Sequence, residues 1–265
     1  MYQEIKFNSG AISPGECISV TWDYVSNNYW LFFGMSLLTW VITACVPCLN
    51  VFVVGPIMVG LYYAYLRQMS GEYVEFAMMF KGFEKFVPAM VVGLIQSIPG
   101  IVGQGVQYTS DFSSILLNQR RSGSYFAEGS LAMQSAPEFA LSGGILIAII
   151  IVGLVVFLFS IAWYITFFFA LPLLSEYDLS IGETISLSAR AGWSNWGGLI
   201  LLFIFQFLVA LVGVLLLCIG AFFALPIIFG STATAYRQVF PPRAINPPSS
   251  PPAPDYFGGG FGTAR

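Results

Sequence analysis

Long apolar runs without Asp, Glu, Lys or Arg alternate along this chain with shorter segments that mix charged and apolar positions at helical spacing. The run between Asp23 and Arg67 is about twice the roughly 20 residues that one bilayer crossing needs. It is therefore predicted to cross twice, near 29–46 and 50–67, with a break at Val46-Pro47-Cys48-Leu49-Asn50. The run between Lys85 and Asp111 predicts one helix at about 87–107, and that from Phe139 to Ser175 one long helix near 143–173. The last run, between Arg190 and Arg237, again holds two helices, with a break around Cys218-Ile219-Gly220. The expected total is six spans.

The runs repeat. Ser13-Pro-Gly-Glu-Cys-Ile-Ser-Val20 and Ser180-Ile-Gly-Glu-Thr-Ile-Ser-Leu187 agree at five of eight positions. Pro56-Ile57, Gly60 and Arg67-Gln68 are matched at one constant offset by Pro226-Ile227, Gly230 and Arg237-Gln238, and Cys48 meets Cys218 at the same offset. A weaker third copy opens at Ser70-Gly71-Glu72 and closes at Ala170-Leu171-Pro172, with Phe52, Phe168 and Phe222 each four residues before a proline. A repeat of this length fixes the architecture before any local feature does. Ser13 and Ser180 suit the N-cap, Pro14 the first helical turn, and Glu16 and Glu183 the reciprocal capping-box contact. Apolar positions then recur at helical spacing, at Val74, Ala77, Phe80, Phe83 and Val87, and at Ile185, Leu187, Ala191 and Trp196. Such helices are expected to lie in the membrane interface, where Trp22, Tyr29, Trp30, Trp193 and Trp196 supply the aromatic belt.

The expected fold is thus an all-α integral membrane protein. Six transmembrane helices form three parallel repeats of an interfacial amphipathic helix plus a transmembrane hairpin, related by a pseudo-threefold axis. After an N-terminal segment 1–12, unit 1 covers 13–69, unit 2 covers 70–179 and unit 3 covers 180–240. Unit 2 carries an extracytoplasmic insertion at about 104–143. A tail at 241–265 holds seven of the fifteen prolines and is expected to be disordered and cytoplasmic.

Composition sharpens the class. Of 265 residues 57% are hydrophobic and 9% charged, against about a quarter in soluble domains. The net charge of −3 leaves no basic field for nucleic acid, and the absence of His argues against triad hydrolysis or a zinc site. No metal or cofactor is expected. Lys6, Arg67, Lys81, Lys85, Arg190, Arg237, Arg243 and Arg265 fall on the side of the termini and only Arg120 and Arg121 opposite, so both termini are expected in the cytoplasm of a bacterial inner membrane. The charged first 28 residues do not resemble a cleavable signal peptide.

Candidate chemistry is sparse. Cys45 and Cys48 have the spacing of a redox dithiol or a disulfide, although Cys218 repeats Cys48 and favours packing at a hairpin turn. Glu16, Glu72 and Glu183 could form a cation-binding ring or simply cap helices. Gln96 and Gln206 stand at matching depth in two units, where interhelical hydrogen bonding is the default. Pro56, Pro172 and Pro226 should kink the second span of each unit, a device that transporters use, but no ionisable residue lies well inside a span. Gly93, Gly100, Gly103, Gly143, Gly144, Gly197, Gly198 and Gly213 suggest close helix contacts.

The Gly-Glu-opened amphipathic helices, Gly55-Pro-Ile-Met-Val-Gly-Leu-Tyr-Tyr63, Ser97-Ile-Pro-Gly100 and Phe169-Ala-Leu-Pro-Leu173 together resemble bacterial multi-pass proteins grouped with the glycerophosphodiester phosphodiesterase membrane domain and the uncharacterised YciC-like families. The resemblance covers nearly all of 13–240. It implies a structural membrane unit without catalytic residues of its own, although in those families the Ile-Pro-Gly segment runs almost directly into the Ala-Leu-Pro span. The expected function is a non-catalytic membrane scaffold or accessory subunit, surrounded by lipids, that docks membrane-protein partners through its insertion and tail. The alternative is a lipid-handling or small-molecule transport protein using the bundle interior.

Overall fold

The computed structural model describes residues 5–45, 47–103, 143–215 and 219–242. Among these residues every regular element is a helix and no strand forms. The chain runs through α1 (Pro14–Ser26), α2 (Tyr29–Cys45), α3 (Pro47–Met69), a 3-10 helix (Phe76–Lys85), α4 (86–103), α5 (Gly143–Phe167), α6 (Ala170–Glu176), α7 (Ile181–Ser194), α8 (Trp196–Leu215) and α9 (Ile219–Val239). Three stretches are long and apolar enough to cross a membrane: Phe76–Gly103, Ile150–Glu176 and Trp196–Leu215. Tyr29–Thr43 is a shorter apolar helix. From Ile150 to Phe159 every residue of α5 is exposed, which suits a helix bathed in hydrocarbon and not one in water.

Each short amphipathic helix leads almost at once into an apolar one. Two residues separate α1 from α2 and one separates α7 from α8, while the 3-10 helix runs straight into α4. At α7 the capping box is complete. Ser180 N–H donates to Glu183 Oε2 at 3.0 Å, and Glu183 N–H donates to Ser180 Oγ. Those hydrogen bonds to Ser180 hold the Glu183 carboxyl below its ordinary range.

The expected box at Glu16 does not form. Ser13 takes the N-cap position of α1 without a side-chain cap. Its backbone N–H donates instead to Gln238 Oε1 at 2.9 Å, and Gln238 Nε2 donates to Glu16 Oε2 at 3.4 Å. The end of α9 thus supplies the acceptor that a local side chain supplies at α7.

Two further expectations are corrected. The amphipathic stretch of unit 2 is a 3-10 helix, unusually long for its kind, preceded by a buried Val74 and an extended Glu75. Side chains three apart eclipse in that geometry. Met79 and Gly82 line up on the buried side, while Phe80, Phe83 and Phe86 make a half-exposed row with centroids 6.2–6.3 Å apart. The single helix expected near 143–173 is interrupted at 168–169, because Pro172 offers no N–H and its ring crowds the carbonyl of Phe168. Pro56 and Pro226, by contrast, sit inside continuous helices.

Packing follows a ring. Helix α3 lies on the 3-10 helix, α5 and α6 lie on α7, and α9 lies on α1, while α2–α3 and α8–α9 form hairpins and α3 touches both α6 and α9. Aromatic rings pack the interior near the C-terminal ends of α3 and α9. Tyr65, Phe32, Phe169, Tyr236 and Phe240 are fully buried, with Phe32 stacked on Tyr65 at 4.6 Å and Tyr236 on Phe240 at 5.1 Å. The Tyr65 hydroxyl donates to the Pro226 carbonyl at 3.0 Å and meets Ser36 Oγ at 3.0 Å, which ties α3 to α9 and α2.

Glycine permits the closest crossings. A Cβ on Gly60 would strike the Met79 carbonyl, one on Gly82 the Pro56 carbonyl, and one on Gly55 the Ala89 carbonyl. A Cβ on Gly93 would fall 2.6 Å from Gly55 Cα. Gly230, at the position in α9 that Gly60 holds in α3, lets the Tyr24 hydroxyl of α1 donate to its own carbonyl at 3.0 Å. Gly198 and Gly213 also sit in tight contacts, but Gly100, Gly103 and Gly197 face open space, so the packing role expected of those three is not observed. The surroundings of Gly143 and Gly144, at the start of α5, lie outside what is described.

Candidate functional site

The C-terminal ends of α3, α6 and α9 converge on a cleft of about 320 Å³. Tyr63, Leu66 and Arg67 line it from α3, Glu72 from the following turn, Glu176 and Tyr177 from the end of α6, Arg237 from α9 and Pro242 from the segment just after it. On one side α3 stops in a turn that needs glycine. Gly71 takes φ +74°, its N–H returns to the Gln68 carbonyl and that of Glu72 to the Arg67 carbonyl. This turn swings Glu72 back over Arg67.

Two ion pairs result, and they differ in burial. Arg67 Nη1 donates to both Glu72 oxygens, with the side chains 41% and 48% exposed. Arg237 Nη1 donates to both Glu176 oxygens at 2.8 and 3.0 Å, with the side chains 13% and 24% exposed, and the Tyr236 hydroxyl donates to the same carboxylate at 2.7 Å. Arg67 lies 4.9 Å and Lys81 Nζ 5.0 Å from the centre of the Tyr63 ring, so one aromatic face system serves two cations. No carboxylate among the described residues engages Nη2 of either arginine. Lys85 closes the end of α6 by donating to the Leu174 and Tyr177 carbonyls at 2.9 and 3.0 Å and pairing with Asp178 at 2.7 Å. The ammonium holds the Asp178 carboxyl below its usual range.

The N-terminal segment is stitched over the same end. Asn195, almost fully buried, accepts from Ala11 N–H at 3.0 Å and donates to the Asn8 carbonyl at 3.0 Å, and Asn8 N–H donates to the Val239 carbonyl at 2.9 Å. Cys17 Sγ donates to Gln238 Oε1 at 3.2 Å. Burial, with Glu16 adding to it, pushes this thiol up to about 12. Thiolate is the reactive form. Cys17 should therefore resist a maleimide at pH 8 in the folded protein and label fully once denatured, as read by mass shift. Rapid labelling before unfolding would show that α1 does not stay seated on α9.

The residues singled out by sequence have separate fates. Glu16 meets Gln238, Glu72 meets Arg67 and Glu183 caps α7, so each glutamate has its own partner. Among the described residues no three His, Cys, Asp or Glu side chains are placed to hold a metal ion. Gln206 donates across to α9, to the Ile228 carbonyl at 3.2 Å, Ser231 Oγ at 2.9 Å and Thr232 Oγ1 at 3.2 Å, whereas Gln96 Oε1 is buried without a partner. The carbonyl of Phe223, next to the one that Pro226 deprives of its donor, accepts from the Tyr29 hydroxyl at 2.7 Å. The side chains of Cys45 and Cys48, Cys218, most of the insertion and nearly all of the tail lie outside the described residues.

Arg67-Gln68 and Arg237-Gln238 were visible in the sequence only as repeated letters. Their roles in the cleft and in capping α1, and those of Glu176 and Asn195, carry no local sequence signal. The arrangement offers donors, acceptors and both signs of charge, a recognition surface without a paired nucleophile and base. The chain matches no protein-family model, and no curated protein or solved structure is significantly similar to it.

Proposed function

We propose that this chain is a non-catalytic, multi-pass scaffold of a bacterial cytoplasmic membrane, crossing six times as three parallel units with both termini inside and belonging with the YciC-like proteins it resembles. The observation that carries the reading is the ring. Each unit's second long helix lies on the next unit's short amphipathic helix, with Tyr65, Phe169 and Tyr236 buried between them so that one end of the bundle is closed by packed rings. An interior closed by packed rings at one end favours a structural unit over a transport path.

Six crossings also fit the lengths. Helices α3 and α9 have 23 and 21 residues, about 34 and 31 Å at 1.5 Å per residue, against a hydrocarbon core of about 30 Å. They are less apolar than the lipid-facing helices because their Tyr, Ser and Thr side chains find partners inside the bundle.

Topology is tested in a variant with all four cysteines replaced and single cysteines placed at Ser122 or Ser250. An impermeant maleimide should label position 122 in intact spheroplasts and position 250 only after permeabilisation, and the reverse pattern would overturn the orientation. Scaffolding is tested by recovery in mild detergent. Full-length chain should bring down a stoichiometric membrane-protein partner, and removal of 241–265 should weaken that recovery while leaving the melting temperature unchanged. Recovery of the chain alone would sink the docking role.

A further inference from the structure

Resting on the membrane placement proposed above, we propose that the cleft between α3, α6 and α9 binds a phosphodiester that carries a primary ammonium group, the headgroup of a zwitterionic phospholipid. Arg67 and Arg237 receive the phosphodiester and Glu72 the ammonium.

Charge balance is the first reason. The cleft presents two guanidinium groups and two carboxylates, so a ligand that is itself neutral overall but carries both signs matches it better than a simple anion does. The second reason is unused donor capacity. In each pair a single nitrogen, Nη1, serves both carboxylate oxygens, so no carboxylate among the described residues takes the other terminal nitrogen, and a planar guanidinium can present its N–H groups to two oxygens of a phosphate. The third is asymmetry between the carboxylates. Glu176 is claimed by Arg237 and by the Tyr236 hydroxyl, whereas Glu72 is half exposed and holds only Arg67, so the ammonium goes to Glu72.

Depth agrees with this assignment. The cleft is formed by helix ends, at the end of the bundle where α1 and α7 carry the exposed Trp22 and Trp193 expected at headgroup level. A primary ammonium has three N–H donors for a carboxylate, while a quaternary headgroup has none. The cleft should therefore select the former.

The test uses the full chain in detergent, exchanged with an equimolar mixture of phosphatidylethanolamine, phosphatidylcholine and phosphatidylglycerol of matched acyl chains, with bound lipid read by native mass spectrometry. Phosphatidylethanolamine should be retained about tenfold over the other two, the scale of one lost charge-assisted contact. R67Q should abolish the retention, and E72Q should erase the preference over phosphatidylcholine. Both changes are at a half-exposed pair, so each variant should melt with the wild type. Equal retention of the three lipids, preference for phosphatidylglycerol, or unchanged selectivity in both variants would overturn the site. Free phosphoethanolamine forms a separate arm. If it binds as tightly as the lipid, the headgroup chemistry stands and the lipid source fails. A chain that stays soluble without detergent would instead overturn the membrane reading.

Discussion

Replacing Gly60 by leucine will prevent α3 from seating on the 3-10 helix and will cost more stability than any surface change in the molecule. Even a Cβ at this position would strike the Met79 backbone carbonyl, and a backbone cannot step aside as a flexible side chain can. Met79 and Gly82 are in turn locked by Gly60 and Pro56, so the two elements would have to separate along their shared face. Overpacking of a tight core costs about 1–3 kcal/mol, and a clash with backbone belongs at the upper end or beyond. The expected result is a broad, aggregated gel-filtration profile in detergent and loss of the cooperative melt. Gly100→Leu is the control, since Gly100 lies in the apolar stretch Phe76–Gly103 that also contains Met79, but a Cβ there meets no described atom within 4 Å, and it should leave the melt unchanged. Equal behaviour of the two variants would mean that the glycine crossing is not what joins these elements.

Arg237→Gln is expected to lower stability by about 2 kcal/mol, and Arg67→Gln by no more than about 0.5 kcal/mol, although the two arginines occupy matching places in the repeat. Exposed pairs contribute little because water and salt already screen them. A mostly buried carboxylate that loses its cation keeps its desolvation cost, and breaking fully buried pairs costs about 3–5 kcal/mol. Arg237 and Glu176 are not fully dehydrated, and the Tyr236 hydroxyl continues to donate to Glu176, so the lower figure applies. Chemical denaturation in mild detergent at two salt concentrations separates the cases. The Arg237 effect should persist at high salt, and the Arg67 effect should vanish. Matched losses at both positions would show that burial does not distinguish the pairs.

The contrast between these arginines marks how far the sequence could be read. Charge-free runs placed the apolar helices closely, because burial in hydrocarbon leaves a direct compositional trace. The start of α7 was equally plain, since Ser180 and Glu183 act on each other within one turn. The same letters at Ser13 and Glu16 predicted a capping box that does not form, because Gln238, far along the chain, takes the Ser13 N–H. Local motifs are legible only while no tertiary partner competes for the same hydrogen bond. The cleft was illegible for a related reason. Glu176 stands four residues after Pro172, where the other two units have Gly60 and Gly230, and nothing in the local sequence says that helix α6 ends there and turns its carboxylate toward α9. Repetition was visible at Arg67 and Arg237, whereas Glu176, which pairs with Arg237, stands at a place where the repeated sequences differ.

The 3-10 helix has a mechanical consequence. At about 2.0 Å per residue its ten residues reach about 20 Å, whereas the same residues wound as an α-helix would reach about 15 Å. The segment therefore works as a spacer of fixed length between the turn at Gly71 and the foot of α4. Rewinding it would draw that foot about 5 Å toward the turn, close to one full helical turn, and would carry Gly93 and Ala89 out of step with Gly55. The spacing between α3 and α4 is in this way set by the pitch of the short helix that joins them.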